Sequence, residues 1–420
     1  MQNGECKMNT RKMELLAPVG GMEQLRAAVR FGADAVYGGM KSYGLRAFAG
    51  NFDPDELRRA VAFAHEHGVK FYVTMNILPT DKELSGFLEA AKDALAAQVD
   101  AAIVSDIGAA LMLHQELPQL PLHISTQANV LNSRTALHLH QAMGAERIVL
   151  SRELSLADIT EMRKTLPEEL ELEAFVHGAM CVAYSGRCLL SNAMLGRSGN
   201  KGACAQPCRW QYYLMEIKRP GEYYPVFEDD KGTYLYSAYD LCMLPHLPQL
   251  RDAGIVSLKI EGRMKTAYYV ATVVSAYRRA LDALENEGEE AYQALIPELL
   301  AEMNKASHRK SNTGFYFGAP APAAGAGGFE QEMEYVGDFV APANEAGEAL
   351  IRLKNRFFVG DELEALTPTG VHRFTVHSMT IEETGESVQK ATVAGTLLRV
   401  PVDFPVDCGD LLRGPNRNHL

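Results

Sequence analysis

The sequence predicts an α/β chain: a (β/α)8 TIM-like barrel with a cysteine-bearing insertion, followed by a small C-terminal β-barrel domain. Three observations lead there. Eight short β-rich runs alternate with amphipathic stretches between residues 14 and 261. The alternation ends at the low-complexity run GAPAPAAGAGG at 318–328, which lacks the side chains to pack and reads as a linker. Short β runs separated by turn residues fill the remainder.

The predicted strands lie at 14–17, 35–38, 70–75, 101–105, 121–125, 147–151, 171–177 and 256–261. Stretches such as EQLRAAVRF and PDELRRAVAFAHEH space their apolar residues at helical intervals between them. Gly32, Gly68, Gly144 and Gly254 each close a helix-like run just before a strand, where a left-handed cap is wanted. A doubly wound open sheet would use the same alternation. It has less support, because no GxGxxG follows the first strand. The domains implied are 1–317 for the barrel, 318–333 for the linker and 334–420 for the β domain, with runs YVGDFV, ALIRLKN, GDELEALTPTG and HRFTVHSM. Lys354, Asn355 and Arg356 in that domain are candidates to touch a phosphate backbone.

In a barrel, polar residues at strand C-termini line one mouth. They are Tyr37, Gly38, Asn76, Ser105, Asp106, Thr126, Gln127, Arg152, Glu153, His177, Lys259, Glu261 and Arg263. Helical character resumes at 265–305.

The chain has 420 residues, 47% hydrophobic and 22% charged, with a net charge of −12. That balance fits a globular protein and excludes a wholly electrostatic nucleic-acid binder. The N-terminal MQNGECKMNTRK lacks a leader's apolar core, and no run of about 18 apolar residues occurs. The expectation is a cytoplasmic chain, free of the membrane, whose thiols stay reduced.

Five of the seven cysteines fall between 181 and 242. Cys181, Cys188, Cys204 and Cys208 are spaced C-x6-C-x15-C-x3-C within a Gly-, Ser- and Asn-rich stretch, which suggests ligands for a soft metal. Zinc and an iron–sulfur cluster both accept four thiolates. Only Cys204 and Cys208 form the tight knuckle that structural zinc favours, whereas the two wider gaps suit a cluster reached from separate loops. Cys242, in LYSAYDLCML, is an alternative fourth ligand. Between Cys181 and Pro220 stand six cations against one acid, a local net charge of +5. It suits an anionic substrate, and equally offsets four thiolates.

The run EAFVHGAMCVAYSGRCLLS, from Glu173 to Ser191, resembles the signature of the collagenase-like peptidase family U32. ELLAPVGGMEQLRAAVRFGADAVYGG, HISTQANV, SLKIEGRMK and SHRKSNTGFYFG extend the likeness over nearly the whole chain. The closest resemblance is to the branch that hydroxylates the wobble uridine of tRNA at carbon 5 in a prephenate-dependent reaction. It implies an iron–sulfur cluster, of the 4Fe–4S kind, on Cys181, Cys188, Cys204 and Cys208 rather than zinc. It also implies two partners, a tRNA anticodon loop and prephenate or a similar small anion, and leaves room for a paralogue or a homo-oligomer.

On that footing Arg152, Arg187, Lys259 and Arg263 are the cations to hold two carboxylates. Tyr184 and Trp210 are faces for a base drawn from its stack. Glu173 and His177, two positions of one strand face, are a candidate proton shuttle or a structural pair. The alternative is a U32 peptidase in which Glu173 or His177 activates water. The sequence contains no HExxH or GxSxG motif to support one.

Overall fold

The computed structural model describes residues 12–44, 50–181, 183–186, 188, 190–209, 239–318 and 330–417, and the backbone at 227–229 and 232–234. Strands β1 (Glu14–Pro18), β2 (Ala35–Gly39), β3 (Lys70–Met75), β4 (Ala101–Val104), β5 (Leu122–Ile124), β6 (Ala145–Val149) and β7 (Glu171–Ala179) pair in parallel, in chain order. β8 (Phe227–Asp229) and β9 (Gly232–Tyr234) form a separate hairpin. β10 (Asp240–Cys242) adds antiparallel to the end of β7. β11 (Ser257–Ile260) then pairs with both β7 and β1 and closes the barrel. All eight predicted strands are present, with ends within two residues of those expected.

Helices α1 (Met22–Arg30), α2 (Pro54–Glu66), α3 (Asp81–Ala96), α4 (Ile107–Glu116), α5 (Ser133–Met143) and α6 (Leu156–Arg163) follow the first six strands. Local chemistry sets their starts. Asp53 with Glu56, Thr80 with Glu83 and Ser155 with Asp158 form capping boxes that satisfy end N–H groups. Gly144 ends α5 at φ 61°, the left-handed cap the sequence calls for. α7 (Leu190–Leu195) belongs to the insertion after β7, and α8 (Leu247–Asp252) precedes β11. α9 (Ala267–Asn286) and α10 (Glu289–Asn304) complete the barrel wall, and the short β12 (Ser311–Asn312) pairs with β10.

The second unit is antiparallel. It comprises β13 (Met333–Ala341), β14 (Glu348–Leu353), β15 (Phe357–Phe358), β16 (Glu362–Thr367), β17 (Gly370–Thr375), β18 (Thr380–Ile381), β19 (Lys390–Ala391), β20 (Leu397–Pro401) and β21 (Leu411–Pro415). Seven of these form one sheet in the order β17-β16-β21-β13-β14-β20-β18, over a core that includes Phe339, Ile351, Phe357 and Leu412. The unit is fastened to the barrel's side. Arg413, with no exposed side-chain surface, joins Glu364 to Glu302 of α10, and Arg30 of α1 meets Asp410 at 2.7 Å. Lys354 meets Glu23 of α1 at 2.8 Å, and Asn355 donates to Glu334. Lys354, expected as a phosphate contact, thus pairs across the domain interface, and Asn355 pairs within its own unit. Among the described residues no helix is long and apolar enough to cross a membrane.

Candidate functional site

Inside the barrel, alternation along parallel strands ordinarily stacks branched apolar side chains. Here it stacks charges. Arg147 of β6 reaches Glu14 of β1 at 2.6 Å, Glu171 of β7 at 2.6 Å and Glu173 of β7 at 3.1 Å. Tyr72 of β3 donates to Glu14 at 2.7 Å, and Ser257 of β11 to Glu14 at 2.8 Å. Strands that are not neighbours can share partners only across the interior. Lys259 of β11 tops the network, its Nζ 2.7 Å from Glu173 Oε1. The carboxylate of Glu173 has no exposed surface, and each of its oxygens is paired with a cation, which offsets the cost of its burial.

Above this layer, at the C-terminal ends of the strands, lies a cavity of about 440 Å³. It is large enough for a small ligand or a nucleobase. Of the mouth residues expected from sequence, Tyr37, Asn76, Thr126, Gln127, Arg152, Glu153, Lys259, Glu261 and Arg263 line it. Arg263 is buried and donates to Thr74 Oγ1 at 2.9 Å and to Asn51. Arg152 lies 3.8 Å over the Phe175 ring, donates to the Ala179 carbonyl and stands 3.7 Å from Glu261. Ser105 and Asp106 serve local structure instead. The first donates to the Asn76 carbonyl, and the second caps α4 by accepting from Ala109 N–H.

Glu173 and His177 are not brought together. Strand pairing steps from Lys259 opposite Phe175 to Ile260 opposite His177, which makes Val176 an extra residue on β7. One inserted residue turns everything beyond it to the other face. Phe175 lines the cavity, whereas His177 packs against Tyr277 and Tyr269 of α9, with ring centroids at 5.6 and 6.2 Å. Burial, helped by Lys265 and His308, pushes the imidazole down to about 3, so it is neutral at physiological pH. Glu173, fixed below the cavity by Lys259 and Arg147, is not placed to trade protons with it. The shuttle expected from sequence is corrected on both counts.

Cys181, Cys188, Cys204 and Cys208 all line the cavity, and none of the described cysteines forms a disulfide. The strap that carries the first pair is pinned to the barrel. Glu153 accepts from Ser185 N–H at 2.8 Å and from its hydroxyl at 3.1 Å. Gly186, at φ 71°, presses so close to the Gln127 backbone that a methyl group there would overlap its carbonyl. The second pair is held by Ser191, which accepts from Ala205 N–H at 3.0 Å, and Gln206 N–H lies 3.4 Å from Cys204 Sγ. Lys201 ties the strap to Glu83 of α3 at 2.5 Å. Cys242 lies elsewhere. It is buried in the barrel's apolar core opposite His177, with its thiol pushed up by burial.

Four soft donors on one cavity, carried on a glycine-rich strap, fit the donor chemistry of an iron–sulfur cluster. Among the described residues no three His, Cys, Asp or Glu side chains form a group that could hold a metal ion. Tyr184 is 59% exposed at the cavity rim. Arg187 and Trp210 lie outside the described residues.

Sequence reasoning missed Glu14, Tyr72, Arg147 and Phe175. A signal existed. Glu171 and Glu173 occupy alternate positions of one strand, and Arg147 interrupts a strand that should be apolar on both faces.

The model of peptidase family U32 matches residues 20–325, and that of the peptidase family U32 C-terminal domain matches residues 331–413. A protein of Escherichia coli (strain K12) named tRNA hydroxylation protein P is 35% identical over 455 residues, spanning 96% of this chain and 97% of that one. The tRNA hydroxylation protein P1 of Bacillus subtilis (strain 168) is 35% identical over 422 residues, spanning 98% and 96%. A protein named Collagenase, from Porphyromonas gingivalis (strain ATCC BAA-308 / W83), is 32% identical over 419 residues, spanning 96% and 98%.

Proposed function

This chain belongs to peptidase family U32, and we propose that within it the protein is an RNA-modifying enzyme that hydroxylates tRNA. The specific reaction is 5-hydroxylation of the wobble uridine, with prephenate as the small co-substrate and an iron–sulfur cluster as the cofactor. The observation that carries the proposal is that four cysteines line the same cavity at the barrel mouth as Lys259, Arg263 and Arg152. The full-length likeness to proteins named for tRNA hydroxylation supports it.

Cys181, Cys188, Cys204 and Cys208 would hold the cluster, which would supply the electron-handling capacity that side chains lack. The chain's own residues account for binding and orientation. The target base must leave its stack to reach carbon 5, and the exposed Tyr184 ring at the rim gives it a face to settle on. Lys259 and Arg263 on the floor are the cations for an anionic co-substrate, with Arg152 as a wall. Glu153 holds the strap over the mouth and restricts water.

A peptidase remains the second reading because of the relative named Collagenase. It would need a base in the cavity. Neither candidate serves: Glu173 is spent on Lys259 and Arg147, and His177 faces α9.

The test is anaerobic purification with an absorbance spectrum and iron and sulfide assays, beside Cys→Ala variants at 181, 188, 204, 208 and 242. The expected result is a brown protein that loses its iron in the first four variants and keeps it in Cys242→Ala. Nucleoside mass spectrometry of tRNA from a deletion strain should show loss of 5-hydroxyuridine derivatives. A colourless protein with one zinc, or unchanged tRNA, would count against the proposal.

A further inference from the structure

We propose that the side-chain amide of Asn312 reads position 4 of the target base and makes the cavity select uridine over cytidine. The proposal rests on the reading of the cavity as the place where a tRNA base is hydroxylated, and it names the residue that chooses the base.

Uracil and cytosine share one outline and stack alike. They differ at position 4, where uracil carries a keto oxygen that accepts and cytosine an amino group that donates. That position adjoins carbon 5, so a group that holds it also orients the carbon to be hydroxylated. Discrimination there needs a donor that cannot turn into an acceptor.

Asn312 is such a donor. It lines the cavity from β12, within the run SHRKSNTGFYFG. Its Oδ1 accepts from Gly314 N–H at 3.0 Å, and since a backbone N–H can only donate, the two ends of the amide are assigned. Nδ2 is the end left over, and among the described residues nothing accepts from it. The backbone is held on both sides. Asp240 N–H donates to the Lys310 carbonyl at 3.0 Å, and β12 pairs with β10, Leu241 opposite Asn312. Further along, the Tyr316 hydroxyl donates to the Phe175 carbonyl at 2.6 Å. The amide is therefore set before a base arrives, and little ordering is left to be done on binding. Phe315 lines the cavity as well, so an edge-reading donor and a ring come from one short segment.

Several other polar groups line the cavity without this property. Among the described residues neither end of the Gln127 amide is engaged, so it can turn over and meet either base. The hydroxyls of Ser125 and Thr126 rotate between donating and accepting. Arg152, Lys259 and Arg263 only donate, but each carries a charge and is already engaged: with the Ala179 carbonyl, with Glu173, and with Thr74 and Asn51 respectively. A neutral, fixed donor suits a neutral keto oxygen.

Binding of anticodon stem-loop RNAs by the anaerobically purified protein, read by fluorescence anisotropy, tests this. The RNAs differ only at the wobble base: uridine, cytidine or 4-thiouridine, in which sulfur, a weak acceptor, replaces the keto oxygen. The proteins are wild type, Asn312→Asp and Asn312→Ala. The aspartate has the shape of asparagine, can still accept from Gly314 N–H, and turns the free end from donor to acceptor. Its added charge weakens every RNA alike, so the ratio between RNAs is the readout. Wild type should bind the uridine loop roughly 30-fold more tightly than the cytidine loop, with 4-thiouridine several-fold weaker than uridine. Asn312→Asp should melt like wild type and prefer cytidine, and Asn312→Ala should bind the two loops within about threefold of each other. A wild type that binds uridine and cytidine within threefold, or a wild-type preference retained in both variants, would overturn the proposal. Hydroxylation is recorded separately. A uridine preference that depends on Asn312, with no hydroxylated product, would refute the proposed function and leave the base reader standing. Hydroxylation with one uridine preference in wild type and variants would refute the base reader alone.

Discussion

Glu173 and His177 stand four residues apart on one strand and end in opposite surroundings. The carboxylate lies in an ionic layer between Lys259 and Arg147, and the imidazole among aromatic rings behind the sheet. His177 has a pH signature. In the folded chain burial holds it at about 3, against roughly 6.5 when unfolded. As pH falls below 6.5 the unfolded state takes up the proton first, so this residue's contribution to stability is lost between about 6.5 and 3. The slope approaches roughly 1.4 kcal/mol per pH unit. His177→Phe should flatten that part of the acid limb, as read from melting temperatures between pH 7.5 and 4.5. An unchanged slope would place the acid sensitivity elsewhere. Cys242 shows the same contrast between type and place, being a thiol among thiols in sequence and a core residue in the fold.

At the scale of elements, the strap between β7 and β10 matters most. It carries the cysteines, yet barrel loops set its path: Glu153 grips Ser185, and Gly186 rests on the Gln127 backbone. Gly186→Ala adds a side chain at φ 71°, which costs roughly 1–2 kcal/mol before any overlap is counted. The first cysteine pair should then loosen, with Cys181 and Cys188 alkylated several-fold faster than in wild type while Cys204 and Cys208 change little. Equal rates for all four would mean that the turn does not position the pair. The extra residue in β7 is the other decisive element. It turns one strand from a wall of the site into part of the outer packing.

For the whole molecule, the question is why the C-terminal sheet stays at the barrel's side. Its link is an ion network around Arg413, backed by Arg30–Asp410, Lys354–Glu23 and the stacked rings of Tyr268 and Tyr335. Arg413→Met leaves Glu302 with Lys305, and Glu364 with Lys305 and the exposed Arg373, and should cost about 3–5 kcal/mol. Chemical denaturation of that variant should separate into two transitions as the sheet detaches before the barrel unfolds. A single transition at the wild-type midpoint would show that the interface does not depend on this arginine.

The amino-acid sequence by itself determined the eight strands, the helix caps, the antiparallel second unit and the cysteine-bearing segment. Those features rest on local periodicity, turn chemistry and spacing, which neighbouring residues settle among themselves. It also marked most of the mouth residues, because in a closed parallel barrel strand ends and loop starts coincide with one face. Only the tertiary structure decided that Lys259 and Glu173 are partners, that His177 leaves the cavity and that Cys242 is core. It likewise decided that Lys354 pairs with Glu23 across the domain interface. Each of these depends on which strand lies across the interior or on one residue of register, and no local pattern records a contact between Glu14 and Arg147, 133 residues apart. Burial then made those long-range pairings compulsory, since a charge taken from water must find an opposite charge wherever the fold provides one.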